Sequence, residues 1–450
     1  MSVSCIMRGS ASVSPFAEDE TVRRCADAES GDAITEEDWA DAELRDAIIE
    51  KDWEEVFRLI LSGASVGHVG ETGRRLLGIA IRKEREGVVD VLLGWGVDVN
   101  GIDDGTGDIP LTAAIGTGNK DVVVRLLKQE GVWVNSSQRA GYTPLTVASV
   151  IPGRGEIVTL LMAHRAAVNM CDRDGRLPLV EASCRGNTEV VRRLLRGGAD
   201  VEHVDREKRH PLKEAIVGGH KETVECLTDE GDADVDRIRT TGWTPLTLAA
   251  EQSHKEMVAS LLDRHAGIGF ANAFGWVPLV SAVRGHNEEV VIFLLERGAD
   301  VNGHGERGWT ALTWASSSGT VGMVDLLLRA GANPVRADGR GRTPLKEALM
   351  RGNGDIIVLL LQQSVVDPRC IDKDVWADRL SVWMSGYASE YEEVVSLLHA
   401  WGIDTTDFSE RVALSEKKRL EEDLMKGGSG IGMYRGCVSA WENVPCDCGP

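Results

Sequence analysis

No stretch of the 450 residues holds the eighteen or more consecutive apolar side chains needed to span a bilayer. The opening residues, Met1 to Ser10, lack the apolar core of a secretory signal. Positive charge is scarce as well: 50 Lys and Arg stand against 71 Asp and Glu, a formal net charge of -21. That balance argues against a general affinity for nucleic acid or anionic membrane, which both need clustered cations. The nine cysteines are scattered and odd in number, which suits reduced thiols in an intracellular protein, nuclear or cytoplasmic, better than a disulfide framework. Cys437, Cys446 and Cys448 include no Cys-x-x-Cys pair and have no spaced His to complete four metal ligands. There is no Gly-x-Ser-x-Gly nucleophile motif, and the glycine cluster at 427–432 lacks the Lys-Ser/Thr of a phosphate loop. Neither catalysis nor a cofactor is expected.

What the chain does have is a period. Thr244-Pro-Leu246 recurs as Ile-Pro-Leu111, Thr-Pro-Leu145, Leu-Pro-Leu179, His-Pro-Leu212, Val-Pro-Leu279, Thr-Ala-Leu312 and Thr-Pro-Leu345, the leucines 33 or 34 residues apart. Leu77 and Leu44 extend the register backwards, so ten copies are legible, with a worn eleventh near Leu380. So regular a period predicts one elongated array of stacked units rather than several globular domains. Within a copy, a glycine such as Gly141, Gly242 or Gly341 provides the positive φ of a hairpin tip. Thr at the N-cap and Pro at the first helical position then start a short helix. A second glycine breaks it. A second helix follows with apolar residues at helical spacing, as in Val190, Val191, Leu194 and Leu195.

This order, Gly-x-Thr-Pro-Leu, glycine, Val-x-x-Leu-Leu and Gly-Ala-Asp-Val-Asn302, resembles the ankyrin repeat over roughly residues 42–366. The resemblance implies an all-α solenoid of helix-turn-helix units with short β-hairpin loops. It further implies a non-catalytic scaffold that grips protein partners with its hairpin tips and inner helices, which line a concave face. The usual His after the motif leucine is replaced, by Thr112, Thr146, Thr247 and Thr313 among others, and such a Thr can still hydrogen-bond locally. His220 and His254 fall where the pattern often places His and are read as structural.

On that surface the residue before the motif Thr is informative. It is Tyr142, Arg176, Arg209, Trp243, Trp276, Trp309 and Arg342 in successive copies. Three consecutive Trp form an expected ladder, and Trp, Tyr and Arg are the types that most often carry interface energy. The competing reading is that each Trp packs against the next hairpin. Nearby tips add Phe274, Arg173, Arg206, Arg239, Arg307, Arg336 and Arg340, a basic ridge that would steer an acidic partner segment. A monomer is expected.

The ends break the period. Residues 1–40 form an acidic leader expected to be disordered, and residues 1–55 hold sixteen acidic against five basic side chains. The repeat domain spans 41–366. A degenerate capping repeat is expected at 367–405 with Trp376, Trp383, Tyr387, Tyr391 and Trp401, an aromatic docking patch being the less favoured alternative. Residues 406–450 are a charged helix and a flexible Cys-containing tail. A second function is conceivable there: a tail that recruits an enzyme, such as a ubiquitin ligase, or that binds a metal. Copies four, with Pro152-Gly153, and six, with Lys208 for the hairpin glycine, are expected to be soft.

Overall fold

The computed structural model describes residue 47 and residues 52–62, 71–102, 106–138, 140–237, 242–304, 308–371, 375–376 and 388–403. The acidic leader, Leu44, Leu380, Trp383, Tyr387, the side chain of Tyr391 and the tail with Cys437, Cys446 and Cys448 lie outside them. The chain divides into two compact units. One comprises Met1–Ala249 with His254–Gly267, the other Ala250–Ser253 with Ile268–Pro450.

Helices come in pairs, from Glu71–Arg82 with Glu86–Gly94 to Pro344–Arg351 with Gly354–Leu361. Trp53–Leu61 precedes the first pair and Ala388–Ala400 follows the last. The motif leucines, from Leu111 to Leu345, are each no more than 3% exposed, so the repeated position is the core position. Trp376 is fully buried and its Nε1 donates to Pro368 O at 3.2 Å, as a residue closing the end of a core would.

The starts of the inner helices follow from their sequence. Thr146 N donates to Thr143 Oγ1 and Thr143 N to Thr146 Oγ1, both at 3.2 Å. Thr244 and Thr247 repeat the arrangement at 3.2 and 3.1 Å. The Thr that replaces the familiar His therefore closes a reciprocal cap on its own helix. In copy six, His210 takes over the capping Thr's task, its Nδ1 accepting Leu212 N at 3.2 Å. The seven hairpin glycines have φ between 71° and 95°, and Lys208, in the same place, is forced to 60°.

Neighbouring repeats are joined where helices leave carbonyls without partners. Asn187 Nδ2 donates to Ile151 O at 3.2 Å and Asn353 Nδ2 to Ser316 O at 3.0 Å, while His220 Nε2 meets Cys184 O at 3.1 Å. Beyond Pro152-Gly153, Arg154 reaches Ile115 O and Gly116 O, both at 3.0 Å, and so restores the link that the irregular copy would lose.

The expected hairpins are short. Among the described residues no strand forms, and the one bridge joins His304 to Thr310. Hairpins such as Asp172–Arg176 close by two backbone bonds, from Asp172 N to Arg176 O and from Gly175 N to Asp172 O, both at 2.9 Å. The closing side chain, not a ladder, holds the tip.

Candidate partner-binding surface

The tips at Arg176, Arg209, Trp276 and Arg342 are each built on a buried side chain four residues earlier. Asp172 Oδ1 accepts the backbone N–H groups of Asp174 and Arg176 at 3.0 and 2.9 Å. Asp338 does the same for Arg340 and Arg342, both at 2.8 Å. Asn272 serves Phe274 and Trp276, both at 3.0 Å.

The second carboxylate oxygen then decides what the tip arginines can do. Arg209 Nε lies 2.7 Å from Asp205 Oδ2 and its Nη2 lies 2.6 Å from Glu181 Oε1. Burial opposes the Arg209 charge, but Glu181 and Asp205 outweigh it and raise the pKa further above the usual guanidinium value. Arg342 holds Asp338 Oδ2 at 2.8 Å and Glu347 Oε1 at 2.9 Å. Arg176 leans on Asp174 at 3.0 Å. These three arginines clamp their own hairpins. Arg173, Arg206 and Arg340 are exposed, whereas Arg336 is half-buried with its Nη1 donating to Asn302 O at 3.1 Å. Arg239 and Arg307 lie outside the described residues.

The tip aromatics are held by cations. The Arg176 guanidinium sits 4.5 Å from the Tyr142 ring centroid. Trp243 is half-buried beside His210, Lys213 and Leu248 in the first unit. In the second unit Trp276 and Trp309 meet through a residue that sequence reasoning missed. Trp314, on the inner helix Ala311–Ser318, has its ring centroid 6.0 Å from that of Trp276 and 5.0 Å from that of Trp309. Phe274, 43% exposed, extends the cluster at 5.2 Å from Trp276.

Two guanidinium groups wedge this cluster. Arg284 lies 3.5 Å over Trp276 and 5.0 Å from Trp314, and Arg342 lies 4.6 Å over Trp309. Arg284 Nη1 approaches Glu251 Oε1 at 3.4 Å. Burial lowers the pKa of Arg284 and raises that of Glu251, each against the pull of the other's charge. Such a pair is largely desolvated, which strengthens contact between cation and ring. A continuous chain results: Glu251, Arg284, Trp276, Trp314, Trp309, Arg342, Asp338. The sequence signals were an aromatic residue two places after the motif leucine and an Arg near the end of the preceding inner helix.

Chemically this is a half-exposed, pre-set aromatic surface with cationic edges. Among the described residues no group of three His, Cys, Asp or Glu is placed to hold a metal ion, and no helix is long and apolar enough to cross a membrane.

A comparison with protein-family models agrees with this architecture. The family model described as ankyrin repeats (3 copies) matches residues 77–170, 149–239, 231–305 and 300–372. Among solved structures, the crystal structure of the human ASB11 ankyrin repeat domain is similar at 27% identity and a TM-score of 0.43, over 49% of this chain and 98% of that one. No curated protein matches the chain.

Proposed function

Since this chain belongs to the ankyrin repeat family, whose repeats are generally protein–protein interaction modules, we propose that it is a non-catalytic, monomeric intracellular scaffold. Its partner sits on the hairpins and inner helices of the second unit, over Phe274, Trp276, Trp309 and Trp314. The observation that carries this reading is the wedged cluster itself. Its rings and guanidinium groups are locked by contacts 3.5–6.0 Å long yet remain partly open to solvent. Side chains already fixed in place lose little freedom on binding, and Trp and Arg are the usual interface anchors. Exposed Arg340 adds positive charge beside the cluster, which favours a partner segment bearing carboxylates, through association rate more than affinity.

Affinity capture compares wild type with a Trp276→Ala/Trp314→Ala variant whose helicity and melting are native-like. The reading expects one protein captured by wild type to be lost by the variant, and its association with wild type to slow as salt rises. Equal capture by both would show that the cluster only packs.

A further inference from the structure

A regular device links the turns of successive repeats. Asn100 Nδ2 donates to Gly131 O at 2.9 Å while its Oδ1 accepts Trp133 N at 2.7 Å. Asn135 bridges Arg165 O and Ala167 N at 3.4 and 2.8 Å, and Asn169 bridges Gly198 O and Asp200 N at 3.2 and 2.9 Å. Asn302 bridges Gly331 O and Asn333 N at 3.4 and 2.7 Å. In every case one carboxamide satisfies a carbonyl and the N–H two residues later, and a valine precedes the asparagine.

At the corresponding place 33 residues before Asn302 the chain has Gly269, preceded by Ile268. Gly269 brings no carboxamide to the matching pair, Gly298 O and Asp300 N. Among the described residues no side chain takes its place. What remains is a cleft of about 280 Å³ lined by Ile268, Gly269, Val277, Leu279, Asp300 and Arg336. That is far more room than the ~15 Å³ one water needs. The floor is apolar, with Leu279 1% and Val277 7% exposed, and Phe270, next to Gly269 in the chain, is 57% exposed. A Cβ built on Gly269 meets nothing within 4 Å, so the space is open.

We propose that this cleft receives an asparagine side chain of the protein partner, its carboxamide donating to Gly298 O and accepting from Asp300 N–H. The chain itself supports this occupant: wherever both members of the equivalent backbone pair are met by a side chain, in four other repeats, it is the Asn of a Val-Asn. A carboxylate satisfies only the N–H, as Asp236 does for Gly267 N at 2.7 Å and Glu202 for Asp234 N at 3.4 Å, and repels the carbonyl, while a leucine could do neither. The proposal rests on the reading of the chain as a protein-binding scaffold, and it adds one specificity determinant beside the aromatic cluster.

The test uses the full chain and the probe acetyl-Val-Asn-Gly-amide, followed through the backbone amide resonance of Asp300. A saturable shift is expected, with binding at least tenfold weaker for the Val-Asp-Gly and Val-Leu-Gly analogues. Gly269→Asn is expected to move the Asp300 resonance in the same direction without probe and to abolish the response to it. No saturable shift, equal binding of the three peptides, or a response surviving in Gly269→Asn each overturns the proposal. Capture of a protein that depends on Trp276 and Trp314, together with an unmoved Asp300 resonance, overturns the cleft alone and leaves the scaffold reading intact.

Discussion

One substitution, made at two equivalent hairpins, is expected to have opposite effects. Asp172 and Asp338 each accept two backbone N–H bonds through Oδ1, and Asn272 shows that an asparagine does this equally well. Their other oxygens differ. Asp338 Oδ2 meets Arg342 Nε and Nη2 at 2.9 and 2.8 Å, whereas Asp172 Oδ2 has no hydrogen bond and Arg176 Nη1 stays 3.9 Å away. Asp338→Asn turns a charge-assisted fork into a donor facing donors. At about 1.5–3 kcal/mol for a hydrogen bond to a charged group, and with Glu347 still beside Arg342, the loss is about 2 kcal/mol. Asp172→Asn removes a buried charge that gains little from its neighbours, so the change runs from about zero to ~1 kcal/mol of stabilisation. Native-state hydrogen exchange reads each site locally through Gly341 N, which donates to Asp338 O, and Gly175 N, which donates to Asp172 O, both at 2.9 Å. Protection at Gly341 is expected to fall about thirtyfold, while that at Gly175 holds or rises up to about fivefold. The pH dependence has opposite signs too. At Asp338 burial alone would raise the pKa, but the N–H bonds of Arg342 and Arg340 and the Arg342 charge outweigh it and lower it. Its contribution is therefore present above about pH 4 and lost as pH falls through the folded value. Burial raises the pKa of Asp172 despite its N–H bonds, so its contribution is full below about pH 4 and lost as pH rises through the folded value. Equal losses at the two hairpins would refute the reasoning.

Other substitutions test the repeat architecture. Thr247→Val keeps the shape but leaves the buried Thr244 N–H without its acceptor; a loss of about 1–2 kcal/mol is expected from urea unfolding at unchanged slope, with Thr247→Ser closer to wild type. Gly308 and Gly341 share a φ of 71°, but an added Cβ has open space at Gly341 and lies 2.7 Å from Gly339 N at Gly308. Gly341→Ala should cost about 1–2 kcal/mol in thermal melts and Gly308→Ala distinctly more. Asn302→Ala removes both bridge bonds at a largely solvated site, so a loss of about 0.5–1.5 kcal/mol and faster exchange at the Asn333 amide are expected.

The fold was legible because the same physical demand recurs: a turn with positive φ, a capped helix start and a leucine in the core. The Thr caps and hairpin glycines could be read directly for that reason. The surface was less legible because it depends on pairs. Arg176, Arg209 and Arg342 read as part of a basic ridge, although an Asp four residues earlier places a carboxylate against Arg209 and Arg342, and Arg176 turns to Asp174 instead. Trp276 and Trp309 were visible as tip residues, but Trp314 occupies a helix position that the repeat pattern leaves open, and Arg284 belongs to the preceding inner helix. Gly269 was passed over because it had to be noticed as a missing asparagine.

The wedged indoles have an optical consequence. With ring centroids 5.0 and 6.0 Å from Trp314, Trp309 and Trp276 are close enough for their transition dipoles to couple, and the two guanidinium charges above them tune emission colour. The second unit thus contains its own label-free reporter. An exciton couplet in circular dichroism would track the spacing of these rings separately from helix content, and a ligand that pried them apart would announce itself without any attached dye.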